Sequence, residues 1–336
     1  MKSKITLTDI AQHLDVSVAL VSLVLRNKWK ENRISRELAK KVKETAKQMG
    51  YKPNVVAQSL RTGKSGIIGL IIADISNPFY GQIARVIENE AEKSGYEVMF
   101  GSSEENLDKF IKVGETLISR QVDGLIVVPV SGSDVTLSGW KERNIPLICI
   151  DRFVPDLKIP FIVSDNYLGS LTVTDFMIER GYRKIAFVTN DTELSTYKER
   201  ENGFLDAVKK STVTNISHTV FKLNHKDWWA ELRNIIPLIL KMETEIIYFP
   251  QNMLGIEGIR IFKELNINIP SDISVISYDN PEIFELYKPG ITCYEQPVSE
   301  MAKEATSLLV KKLSKNIALE KYSKKIAGNL IIRESC

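Results

Sequence analysis

From Ile67 onward the chain alternates short β-branched and Leu-rich runs with longer stretches whose apolar residues recur at helical spacing, and few architectures accept that pattern. Strands are expected at Ile67–Ala73, Glu97–Gly101, Gly124–Val128, Leu147–Ile150, Lys184–Thr189, Ile246–Phe249 and Ser274–Ser277. Helices are expected between them, at 79–94, 107–120, 166–180, 199–210, 228–241 and 253–266. Strands joined by helices imply parallel sheets with helices on both faces. At 336 residues the chain is too long for one such core, so two similar subdomains are expected.

The first 66 residues do not share this pattern. They hold 14 Lys and Arg against 5 Asp and Glu, a surplus of nine, whereas the remainder carries a deficit of six. A basic head on an acidic body suggests a polyanion-binding module joined to something that is not one. Within the head, Leu7, Ile10, Ala11 and Leu14 share a helix face, with Thr6 or Thr8 as N-cap. After Asp15-Val16-Ser17, a second helix over Val18–Leu25 presents Val21, Val24 and Leu25 to the first. Ser35 caps a third, with a stripe of Leu38, Ala39, Val42, Ala46 and Met49, ending at Gly50. Two short helices across a tight turn, closed by a third, describe a helix-turn-helix unit.

The wording is more specific than the periodicity. Ile5-Thr-Leu-Thr-Asp-Ile-Ala, Val16-Ser17, Val21-Ser22, Gly50-Tyr-Lys-Pro-Asn54 and Ala57-Gln-Ser-Leu-Arg-Thr62 resemble the LacI/GalR family of bacterial transcription regulators. In the body, Asp74-Ile-Ser-Asn-Pro-Phe-Tyr80, Gln121-Val-Asp-Gly-Leu-Ile, Ile150-Asp-Arg152, Ser164-Asp-Asn166, Glu199-Arg-x-x-Gly-Phe204, Tyr278-Asp279 and Gln296-Pro297 continue it. The resemblance implies an N-terminal three-helix helix-turn-helix DNA-binding domain, a hinge helix, and a two-subdomain, periplasmic-binding-protein-like α/β body with parallel sheets. It implies domains at 1–50, a linker at 51–66, an N-terminal subdomain at 67–164 plus 296–324, and a C-terminal one at 165–295 plus 325–336. The crossings between subdomains are expected near Ser164, Glu295 and Lys325.

By the same resemblance the second helix enters the major groove, with Val18, Ala19 and Leu23 at base edges and Ser17 and Ser22 on phosphates. Leu23 replaces the usual arginine and Leu20 the usual threonine, so guanine contacts there should be lost. The basic segment Arg26–Arg33 is expected over phosphate or in solvent. The linker helix would insert Leu60 into a central base step, flanked by Ala57 and Arg61, paired with its twin from a second subunit. In the body, polar residues follow the strand ends, where ligands bind in such sheets. Asn77 and Ser131 stand among them; Phe79, Asp151 and Arg152 match family cleft positions in one subdomain, and Arg200, Asn252 and Asp279 in the other.

A small sugar-like or nucleoside-like effector is therefore expected, together with double-stranded operator DNA and a homodimer, with repression as the output. A protein partner in place of the metabolite is the alternative. A sugar-binding transport receptor is disfavoured by the basic head and the absence of an apolar leader. No enzyme pattern is present: His13, His218 and His225 lack nucleophile or metal spacing, and Gly63-Lys64-Ser65 lacks the earlier glycine of a phosphate loop. No cofactor or membrane association is expected. Cys149, Cys293 and Cys336 are few and far apart, which fits a reducing compartment and a cytoplasmic location.

Overall fold

The computed structural model describes residues 5–51, 63–224, 227–315, 317 and 322–336. The chain forms two compact units, Met1–Ser65 and Gly66–Cys336. In the first, α1 (Leu7–Leu14) starts at a capping box in which Thr6 and Asp9 satisfy each other's backbone N–H groups. Asp15 then turns the chain in the left-handed region, φ 51°, and α2 (Val18–Leu25) leaves α1 at 111°. Ser17 Oγ caps α2 by accepting from the N–H of Leu20 at 3.2 Å. The third helix, α3 (Arg36–Gln48), is capped in the same way by Ser35. Ile10, Ala11, Val21, Val24, Ala39, Val42 and Ala46 form the core of this unit.

The second unit contains two six-stranded sheets. The first is ordered β11-β5-β4-β3-β1-β2, built from β1 (Ile67–Ile72), β2 (Glu97–Ser102), β3 (Gly124–Val127), β4 (Leu147–Ile150), β5 (Phe161–Ser164) and β11 (Ser323–Ile326). All its pairings are parallel. Helices α4 (Pro78–Lys93) and α12 (Val298–Lys315) cover one face, and α5 (Leu107–Ser119) and α6 (Asp134–Glu142) the other. The second sheet is ordered β12-β10-β9-β8-β6-β7, from β6 (Lys184–Asn190), β7 (Ser217–Leu223), β8 (Ile246–Phe249), β9 (Ser274–Tyr278), β10 (Thr292–Glu295) and β12 (Asn329–Ile331). Only β12 runs antiparallel to its neighbour. Helices α7 (Asn166–Glu179) and α8 (Ser195–Lys210) pack on one face, and α9 (Trp228–Lys241) and α10 (Asn252–Glu264) on the other; the short α11 (Glu282–Leu286) follows β9.

The two sheets have the same strand order, so each strand of one has a counterpart in the other. The chain passes between them after Ser164, after Glu295 and after Ile326. The last passage falls one residue from Lys325, near which it is expected and which lies inside β11 paired to Val163. Strands β5, β7, β10, β11 and β12 and helices α6, α11 and α12 lie outside the alternation read from sequence. Among the described residues no single helix is long and apolar enough to cross a membrane.

Candidate functional site

In the helical unit, α2 buries Val21 and Val24 and leaves Val18 and Ala19 exposed, with Ser22 and Leu23 half-buried beside them. Leu20 is also half-buried and packs against the helical core, which explains an apolar residue there without any partner outside the unit. Ser22 Oγ accepts a hydrogen bond from the Arg26 guanidinium, placing a cation at the C-terminal end of the helix. The segment after α2 is folded rather than loose. Lys28 N–H returns to Leu23, Ile34 N–H to Trp29, and Lys43 Nζ bonds Asn27 Oδ1 at 2.6 Å. Arg26, Lys28, Lys30 and Arg33 remain exposed on it. Ala57, Leu60 and Arg61 lie outside the described residues.

In the two-sheet unit the polar residues after the strands converge. Asn77 caps α4, its Oδ1 accepting from the N–H of Phe79 at 3.0 Å. It also exchanges amide hydrogen bonds with Asn252, at the start of α10, at 2.8 and 3.3 Å, which joins the two lobes. Asp151 and Asp279 follow the counterpart strands β4 and β9, both in the left-handed region, φ 68° and 65°. Asp adopts such backbone more readily than most side chains, and here it directly follows both counterpart strands. Tyr80 donates its hydroxyl proton to Asp151 at 3.0 Å. Arg152 holds Glu105 through two bonds of 2.6 and 2.7 Å and also donates to Tyr80. Arg200 donates to Asn166 Oδ1 at 2.8 Å and to the Pro250 carbonyl at 2.6 Å, and its guanidinium lies 3.7 Å over the ring of Tyr278. Gln296, at the second passage between sheets, donates to Asp279 at 2.5 Å.

These charges act on one another. Burial pushes the carboxyl of Asp151 up, opposed by Arg152, Arg200 and the Tyr80 hydroxyl. Burial likewise raises Asp279, against the pull of Arg200 and Gln296. For Arg152, burial works against the charge, but Glu105, Tyr80 and Asp151 outweigh it and hold the guanidinium above its ordinary range.

Two cavities open on this network. One, of about 430 Å³, is lined by Phe79, Gln82, Asn252, Asp279, Asn280, Glu295, Gln296 and Glu300 among others. The other, of about 340 Å³, is lined by Glu105, Ser131, Asp191, Thr192, Glu193 and Leu194. Gln296, which lines the larger cavity, keeps its Oε1 buried without a hydrogen-bond partner. Of the sequence-designated residues, Phe79, Asn252 and Asp279 line the larger cavity and Ser131 the smaller. Asn77 caps and clasps the rim, while Asp151, Arg152 and Arg200 form the buried frame. Phe79 also packs in the core of the first sheet, edge-on to Tyr80 at 5.1 Å. Sequence reasoning did not single out Glu105, Tyr80, Asn166, Tyr278 or Gln296. Four stood inside quoted motifs, and Glu105 lies just beyond the carboxyl end of β2, so position after a strand was the available signal.

The profile of bacterial regulatory proteins of the lacI family matches residues 6–54. Two periplasmic binding protein-like profiles match residues 68–231 and 174–336. The ribose operon repressor of Halalkalibacterium halodurans is 30% identical over 332 residues, 98% of this chain and 96% of that protein. The chain belongs to the LacI family. This LacI-family protein is a DNA-binding transcription regulator, and its curated relatives are repressors and regulators rather than enzymes. Its fold is that of the lac repressor dimer bound to operator and the anti-inducer ONPF, at a TM-score of 0.83, 19% identity and 99% coverage of each chain. The periplasmic binding protein/LacI transcriptional regulator of Alkaliphilus metalliredigens, complexed with D-xylulofuranose, matches 80% of this chain and 98% of its own at a TM-score of 0.69 and 25% identity.

Proposed function

We propose that the chain is a cytoplasmic homodimeric repressor whose two helical heads bind a two-fold-related operator, and that a neutral, pentose-sized sugar between the sheets controls it. The carrying observation is the larger cavity, where an aromatic face (Phe79), a buried carboxylate (Asp279), two amides (Asn252, Gln296) and an unpaired acceptor come together. Aromatic faces stack on sugar C–H surfaces, and carboxylates and amides take hydroxyls in pairs. Two relatives point to five-carbon sugars by name, the ribose operon repressor and the D-xylulofuranose complex. The lobes, one per sheet, would close about the three passages, and closure would be transmitted to the linker and the paired Leu60 wedges. Selection of operators from random duplexes by the full chain, with and without D-ribose and D-xylulose, tests this. A palindromic site whose recovery one of these sugars alters by tenfold or more supports the reading; a palindrome indifferent to every sugar tried removes its effector half.

A further inference from the structure

Both arginines of the cleft are already engaged by the protein. Arg200 is held by Asn166, Pro250 and the Tyr278 ring. Arg152, its side chain 4% exposed, is clamped by both oxygens of Glu105. The fork-to-fork geometry is the strong form of this pairing. The loop that delivers Glu105 is fixed on both sides: Ser103 N–H bonds the Ile72 carbonyl at 2.9 Å and Glu105 N–H the Ala73 carbonyl at 3.1 Å. Glu104 and Glu105 both lie in the left-handed region, φ 52° and 54°, a conformation that folds the loop back over the ends of β1 and β2. The cavities continue the theme. The smaller is lined by Glu105, Asp191 and Glu193, the larger by Asp279, Glu295 and Glu300, and neither lining includes a lysine or arginine.

We infer that Glu105 sets the charge specificity of the cleft: by occupying Arg152 inside it and joining the carboxylates at its mouth, it admits an uncharged sugar and refuses the phosphorylated or carboxylated form. The inference rests on the reading of this cleft as a sugar site. A phosphate group brought here would have to displace Glu105 from Arg152 or remain an uncompensated buried charge. Either course is costly in a partly dehydrated space. A neutral hydroxyl meets no such conflict, since it can donate to Asp279, which lines the larger cavity.

The test is isothermal titration calorimetry on the full chain with two matched pairs, D-ribose with D-ribose 5-phosphate and D-glucose with D-glucose 6-phosphate. The wild type should bind the neutral member of one pair about 100-fold or more tighter than its phosphate ester. Glu105→Gln removes the charge of the clamp from Arg152, which keeps Tyr80, the Pro129 carbonyl and Asp151 as partners, and should shrink that ratio about tenfold or more, mainly through tighter binding of the ester. Glu193→Gln, whose carboxylate is paired with Lys198 at 2.8 Å on the exposed rim, should shrink it less than Glu105→Gln does. The double variant Glu105→Gln/Arg152→Gln removes the pair together and should discriminate as the wild type does. It carries the test if the single variant does not fold, and a double variant that gains ester binding overturns the inference. So does a wild type that prefers an ester, or a folded Glu105→Gln with an unchanged ratio. A neutral hexose bound in preference to its ester leaves the inference standing and removes the pentose. A preferred pentose phosphate does the reverse, and failure of all four compounds to bind removes both.

Discussion

Asp279 illustrates what a buried carboxylate in the proposed sugar site costs the ligand-free protein. Its carboxyl is raised by burial, so the fold favours its protonated form and tolerates the ionised form at a cost near neutral pH. The stability linked to this group is therefore present below the ordinary carboxylate pKa and is lost as pH rises through the elevated folded value. Asp279→Asn removes the buried charge, and asparagine tolerates the left-handed backbone at this position. The ligand-free variant should melt higher than the wild type at pH 7.5, with the gap closing on acidification as Asp279 takes up its proton; differential scanning fluorimetry across pH reads both trends. Sugar affinity should fall about ten- to a hundredfold, the worth of a hydrogen bond to a charged group. A variant that binds sugar as well as the parent would remove Asp279 from the site. At this scale the sequence was informative where a polar residue follows a buried strand, as at Asp151, Asn252 and Asp279. It was silent where a residue acts through a partner remote in sequence. Nothing near Glu105 announces that a strand order of β3-β1-β2 will bring it to Arg152, 47 positions away.

Among the elements, the strands and helices with one strong period were legible, and the edges were not. Strand β1 is apolar nearly throughout because both its faces are covered. Strand β7 lies at a sheet edge with a mostly exposed and half-buried pattern, and β11 and β12 are short, largely exposed or half-buried and paired only after the long excursion through α12. Their existence is decided by tertiary pairing rather than by local pattern. Close helix packing was visible only as a glycine in a motif. Gly203 of α8 faces α7 so closely that an added Cβ would stand 2.3 Å from the Tyr167 carbonyl oxygen. Backbone cannot yield as a side-chain tip can, so Gly203→Ala should cost about 1–3 kcal/mol and weaken sugar binding by displacing Arg200 one turn earlier. Thermal melts alongside calorimetry check it, and an unchanged melting temperature would show that the two helices separate freely. Leu23 is half-buried on α2, the helix proposed to enter the major groove, at a position where the family resemblance implies an arginine at a base edge. Leu23→Arg should therefore add a guanine preference at one position of each half-site, worth about 1–3 kcal/mol. Operators reselected by the variant without that guanine would mean Leu23 does not face the groove.

At the scale of the whole molecule, the division into a basic helical head and a two-sheet body was legible because charge and periodicity change together near residue 66. What pattern could not give was how the two lobes meet. It depends on single contacts such as the Asn77–Asn252 clasp and the bond from Thr196 to the Asp151 carbonyl, at 3.4 Å, which no periodicity encodes. These contacts bear on regulation because a ligand shifts a conformational equilibrium only by its difference in affinity for the two states. If sugar and operator act through one such equilibrium, each must change the other's affinity by the same factor, in the same sense. Operator affinity measured with saturating and with no sugar should give the ratio found for sugar affinity with saturating and with no operator. Leu60→Ala supplies the complementary case: loss of the proposed wedge should weaken operator binding while leaving sugar affinity of the DNA-free chain unchanged, because every residue of the proposed sugar site lies within Gly66–Cys336. Unequal ratios in the wild type, at matched salt, would show that the sugar acts on something other than DNA binding, and a Leu60→Ala chain with altered sugar affinity in the absence of DNA would place the linker in the effector site itself.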